Sequence, residues 1–173
     1  MKTIFSVAVC FLSLNAMAQD ATKDALIADY ERSKAMTLAY IEAMPEDKFD
    51  FKPSPESMSF ADQMLHIAQG TIGLSANGTG AERIYADVKL TEDPAFKTKG
   101  EVTRLVTEAM DFAIKGINEM DGTTFGEVVE RGPFKVTRLG WIQKANEHTG
   151  HHRGQCASYL RQAGVTPPQY KLF

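Results

Sequence analysis

Three of the chain's four histidines, and one of its two cysteines, fall within the twelve residues "ANEHTGHHRGQC" (145–156). The fourth, His66, lies far upstream in "QMLHIAQG". Neutral imidazole is a common ligand for zinc and similar divalent ions, and two histidines four apart on a helix clamp an ion from one face. His148 and His152 have that spacing, while His151 is turned about 60° to the other side of His148 at roughly 100° per residue. The His148–His152 face continues upstream to Ala145 and Trp141 and downstream to Gln155 and Tyr159, so it is expected to look into the protein. Buried there without partners, each imidazole would cost about 1–3 kcal/mol. A divalent ion would satisfy both, with His66 as the only further histidine able to complete a set of three. Three histidines plus an open position is the arrangement of a catalytic zinc site. Spacing alone leaves the other reading open: the pair marks a helix surface, and His66 is a hydrogen-bonded core residue. His151 is assigned to the hydrogen-bonded or surface class.

Those residues need helices to position them. "DALIADYERSKAMTLAYIEAM" (24–44) is rich in helix formers, and Leu26, Ile27, Tyr30, Ala35, Leu38 and Ile41 form an apolar stripe until Pro45. A second helix starts after a cap at Ser57 or Ser59 and runs through "FADQMLHIAQGTIGLSA", which carries His66. A third spans about Lys99 to Met120, burying Val102, Leu105, Val106, Ala109, Phe112, Ala113 and Ile117. The fourth begins after Thr137 and ends at Gly164, with Pro167-Pro168 beyond. Four such helices predict an all-α four-helix bundle with long interhelical loops. The stretch between helices two and three is long enough to imply function or unrecognised structure. "EVVERGPFKV" has β character, with Gly132 at the turn of a small hairpin or an extended crossover.

The N-terminus has a different purpose. "MKTIFSVAVCFLSLNAMA" pairs Lys2 with a short apolar run and a small-x-small end, the pattern of a secretory signal peptide cleaved after Ala18. The run is too short to span a bilayer, so no stable membrane anchor is expected after cleavage. Residues 19–173 then form one domain in the periplasm or outside the cell, large enough for a single core. Net charge is −3 with no basic stripe, which argues against a nucleic-acid partner. Cys156 is the only cysteine outside the leader, so the mature chain has no internal disulfide, and the lone thiol is expected to be buried and inert or else to bridge to a partner.

The run "NEHTGHHRGQCASYLRQAGVTPPQY" resembles the C-terminal helix of the DinB family, four-helix-bundle metalloproteins. The match lies in "HHRGQ", then Leu-Arg, then "G…PP". "SFADQMLHIAQG" is similar to the family's second anchor, a lone histidine in an apolar helix, and "MPEDKFDFKPSPESMSF" is similar to the segment before it. The resemblance covers essentially all of residues 19–173 and implies that the ligand triad falls on His66, His148 and His152. It also implies a thiol-dependent transferase or isomerase using a low-molecular-weight thiol, and makes a homodimer plausible. The leader is a departure, because the family's thiol-transferring members are cytoplasmic. A small hydrolase acting on a small-molecule substrate, or a non-catalytic metal-binding or stress-related bundle, are therefore carried beside the transferase. Gln155 is a candidate to hydrogen-bond bound water or substrate, and Asp62 to orient His66 or act as base; a first-turn acid also simply favours the helix dipole. Gly70 and Gly73 continue the His66 face and would leave space above an ion, or serve close packing. Zinc is the expected metal, with nickel, iron or copper suited to the same donors.

Overall fold

The computed structural model describes the backbone of residues 2–173 and the side chains from Ala18 onward. The sequence features of the expected leader therefore lie outside the described side chains. Four helices make the bundle: α1 (Lys2–Ala43), α2 (Phe60–Thr79), α3 (Lys99–Glu119) and α4 (Arg138–Gln162). Going round it, α1 packs on α3, α3 on α2, α2 on α4, and α4 back on α1, so helices consecutive in the chain at the first and last connections stand diagonally. Among the described residues no helix is long and apolar enough to cross a membrane.

Side-chain caps set the helix starts. Ser59 Oγ accepts from the Asp62 N–H, Thr98 from Glu101 and Thr137 from Gly140, each satisfying an N–H that has no carbonyl one turn back. Of the two serines considered for α2, Ser59 is the cap. Leu105, Val106, Ala109, Ala113 and Ile117 of α3 meet Met64, Leu65, Ile67 and Ala68 of α2 in one continuous core. On α1, Tyr30 and Ile41 are buried as the periodicity requires, but Ala35 is exposed. Met36, Thr37 and Tyr40 turn inward in its place, because α1 divides its contacts between α3 and α4 and buries a broader face.

The long connection between α2 and α3 is ordered by one amide. Gln69 Nε2 donates to Val88 O at 3.0 Å and its Oε1 accepts from Leu90 N–H at 3.2 Å, which seats Leu90 in the core with no exposure. Beyond α3, "EVVERGPFKV" is a hairpin: β1 (Val128–Arg131) runs antiparallel to β2 (Phe134–Thr137), turning at Gly132-Pro133. Trp141 in the first turn of α4 ties the hairpin down, its indole N–H donating to Val129 O at 3.1 Å.

The face of α2 toward α4 carries small residues. A methyl at Gly78 would stand 2.7 Å from the Arg138 carbonyl oxygen and 2.6 Å from Ile142 Cγ1, so the backbones approach more closely there than any side chain permits. This close seam positions the histidines.

Candidate metal centre

His66 comes from α2, and His148 and His152 from α4, across that seam. Each presents a ring nitrogen within 4.8 Å of those of the other two. Ring centroids lie 4.9 Å apart for His66–His148 and 4.5 Å for each pair that includes His152. His66 Nε2 and His148 Nε2 are 3.1 Å apart. A tetrahedral ion with bonds of about 2.0–2.1 Å holds its nitrogens roughly 3.3 Å apart, so this pair is already at ligand spacing.

Why the rings converge is legible in the neighbours. Gly70, one turn beyond His66, gives the room: a methyl there would fall 2.3 Å from His148 Cε1 and 2.7 Å from its Nδ1. The imidazole of His148 thus lies in the hollow that the missing side chain leaves. The space expected above an ion at Gly70 is filled by a ligand ring, whereas nothing stands within 4 Å of a methyl at Gly73.

A chain of hydrogen bonds fixes His152. Tyr159 O–H donates to the Met58 carbonyl at 2.9 Å, which can only accept. The phenol oxygen is then free to accept from Gln63 Nε2 at 3.1 Å, and that nitrogen also donates to Gln155 Oε1 at 3.0 Å. Gln63 must therefore turn its oxygen to His152, whose Nδ1–H donates to it at 2.8 Å. The proton of neutral His152 is placed on Nδ1, leaving Nε2 a lone pair. An outer partner that fixes tautomer and ring orientation in this way accompanies metal-ligating histidines generally.

Charge state agrees with that of a ligand set. Burial pushes all three imidazoles below the usual histidine range, and for His148 and His152 the neighbouring imidazoles add to it. His152 falls to about 4. Neutral rings at pH 7 present no positive charge to one another, the state in which imidazole is a metal ligand. Within the His66–His148 contact either ring can hold the shared proton, yet in both arrangements His148 Nδ1 stays buried without a partner. The donor chemistry, the spacing and the unused Nε2 lone pair of His152 together fit a divalent cation.

The other candidates take different places. His151 is exposed, and its Nε2 accepts from Gln155 Nε2 at 2.8 Å. Gln155 is itself exposed and braces Gln63 and His151, so it does not face the triad as expected from its place on the helical stripe. Asp62 is turned away to the end of α2. Its carboxylate accepts from Ser59 Oγ at 2.7 Å and pairs with Lys97 at 2.8 Å. Burial works to raise its pKa, but the hydrogen bonds from Lys97 and Ser59 and the Lys97 charge outweigh it and hold the carboxyl below its ordinary value. Its bonds thus go to the Ser59 cap and to Lys97, and none is made to His66. Sequence reasoning missed Gln63, although an amide in the otherwise apolar run of Phe60, Met64, Leu65 and Ile67, one turn before His66, was a signal that it has a buried partner. Arg153 crosses to α1, its Nη1 donating to Ser33 Oγ at 3.0 Å and Ser33 O at 3.2 Å. Cys156 is fully buried, and desolvation pushes its thiol up to about 12.

The DinB superfamily model matches residues 29–156, and the chain belongs to that superfamily. Two solved structures share its fold. A DinB-like protein (YjoA) from Bacillus subtilis is 18% identical with a TM-score of 0.69, over 84% of this chain and 96% of that one. A DinB-like protein from Bacillus cereus is 15% identical with a TM-score of 0.69, over 86% of this chain and 97% of that one. No curated protein matches the sequence.

Proposed function

We propose that this DinB superfamily protein is an exported metal-dependent enzyme in which His66, His148 and His152 hold one divalent ion, with zinc the first choice. Nickel, iron and copper suit the same three donors. The observation that carries the proposal is the lone pair that Gln63 leaves on His152 Nε2, converging with two further neutral imidazoles. Bound there, such an ion supplies Lewis-acid chemistry, lowering the pKa of a thiol or water donor and polarising an electrophile.

The chain's own residues position and insulate that chemistry. Gln63 and Tyr159 hold the His152 ring, Gly70 admits the His148 ring, and the α2–α4 core closes the inner side. Cys156 is too buried and too weakly acidic to supply a thiolate, so a thiol reactant must arrive from solution as a low-molecular-weight cosubstrate. Thiol transfer and small-substrate hydrolysis are the two reactions proposed. A cavity that shares His148 as its wall supports turnover over a purely metal-storing bundle. The signal-peptide pattern of residues 1–18 supports a periplasmic or secreted location. Homodimerisation is proposed only on the family resemblance.

Metal content of protein purified without a histidine tag, beside a His148→Ala/His152→Ala double variant, tests the site. About one ion per chain, lost in the variant, is expected from a single closed donor set. No ion after incubation with zinc or nickel would sink the proposal.

A further inference from the structure

Outside the triad, an apolar hollow that touches it lies between the hairpin and α4. It has a volume of about 480 Å³, within the range of small-molecule pockets. Trp141 of α4 and Leu74 of α2 form its floor and side, and Phe134 and Val136 of β2 form its roof. His148 of the triad and the neighbouring His151 also line it. The Phe134 ring meets Trp141 edge-on at 6.4 Å, yet Phe134 is 60% exposed, so half of an aromatic wall faces open space. Since Trp141 also holds the hairpin through Val129 O, the roof is fixed to the floor of the pocket.

The distribution of charge in the pocket is one-sided. Lys144 is the only cation in its lining, and its ammonium is bonded to Glu147 one turn away at 2.5 Å. The Lys144–Glu147 pair therefore offers no unpaired charge to a ligand, and the remaining polar lining is the imidazoles of His148 and His151. The triad end is the opposite case, because three neutral imidazoles leave the full charge of a divalent ion uncompensated.

We infer that this hollow is the substrate subsite of the proposed metal centre, and that it selects a small molecule with an uncharged, aromatic or aliphatic body and one anionic donor, such as a thiolate, at the end that reaches His148. The inference rests on the metal-centre proposal and adds the substrate class. Burial of the body between Trp141, Leu74, Val136 and Phe134 supplies affinity, and the donor end supplies orientation. A multiply charged ligand finds no matching groups on these walls.

The test uses cobalt(II)-loaded protein and two thiols, ethanethiol and 2-phenylethanethiol. Binding is read by the sulfur-to-cobalt absorption band and by emission of Trp141, the chain's only tryptophan. The phenyl compound is expected to bind at least about tenfold more tightly, from the apolar area it adds. Phe134→Ala, at an exposed position, should shrink that preference several-fold. Equal binding of the two thiols to cobalt-loaded protein would overturn the subsite and leave the metal centre standing. Failure to load cobalt would overturn both. A Trp141 emission shift on simple dilution of the protein would mean that a second copy covers the hollow, and would overturn the subsite alone.

Discussion

Two of the polar crossings between α2 and α4 are built on opposite principles. At the first, Thr71 and Thr149 are almost wholly buried, their hydroxyls 3.1 Å apart, and Thr149 also donates to Ala145 O at 3.1 Å. Thr149 spends its proton on that carbonyl and accepts from Thr71, so each hydroxyl is satisfied inside the protein. At the second, His66, His148 and His152 bring nitrogen lone pairs together and leave His148 Nδ1 unpaired. Buried polar groups that satisfy one another describe structure, whereas neutral imidazoles that converge and keep a lone pair their own hydrogen bonds do not use suit a cation. The same seam carries both, so general packing of the seam does not explain the difference.

The largest break in that contrast is expected from Gly70→Ala. Its methyl would collide with the tip of the His148 ring, which can swing away, so the fold should survive while the triad opens. Metal affinity should fall by more than about 100-fold, beyond the usual effect of an orienting residue. Gly78→Ala on the same helix face provides the control. Its methyl meets the Arg138 backbone, which cannot swing, and it should lower the unfolding midpoint. If Gly70→Ala binds metal as the native chain does, His148 is not a ligand.

Gln63→Leu comes next. It removes the acceptor that holds the His152 proton on Nδ1, and a loss of about 10–100-fold in metal affinity is expected, measured by competition with a chromophoric chelator. Gln63→Glu keeps an acceptor and should recover most of that loss. Identical affinities for Leu and Glu would mean that the amide only fills space.

How far these parts could be read from the sequence follows from the range of the forces involved. Helix starts at Ser59, Thr98 and Thr137 depend on local capping; the third was legible directly and the first was narrowed to Ser57 or Ser59. The hairpin was legible as β character around Gly132, since turn chemistry is also local. Ala35 was misplaced because a helical wheel gives an angle, not the width of the face that neighbouring helices cover. Gln155 failed for the same reason: it lies in line with His148, but Gln63 reaches across from α2 and takes the position over His152. Spacing brought His148 and His152 to one face and singled out His66 as the third candidate. The hollow at Gly70, the lone pair fixed by Gln63 and the pairing of Asp62 with Lys97 all depend on contacts between elements, which no periodicity encodes.

The Thr71–Thr149 crossing should respond in the opposite sense to the triad. Thr149→Val keeps the shape and removes the hydroxyl, leaving Thr71 without its acceptor in a fully buried place. A loss of about 1 kcal/mol in unfolding free energy is expected, read by urea denaturation, with metal affinity unchanged. A drop in metal affinity comparable to that of Gln63→Leu would show the two crossings to be one coupled unit.

The smallest effect separates the crossings by pH, in protein stripped of metal. All three imidazoles have folded pKa values below the ordinary value, about 6.5 in an unfolded chain. Between that value and the pKa of about 4 for His152, the unfolded chain holds more protons than the folded one. Stability must then rise with pH in this window. It is present in full above about pH 6.5 and drains away as the pH falls toward 4. Urea midpoints of the metal-free protein at pH 7 and pH 5 should therefore decline on acidification, and decline less in His152→Asn. Thr149→Val should keep the native slope, since neither hydroxyl titrates. If acidification from pH 7 to pH 5 instead stabilised the metal-free chain, the three rings would be sharing a proton as a cationic cluster. The lone pairs on which the metal assignment depends would then already have their cation.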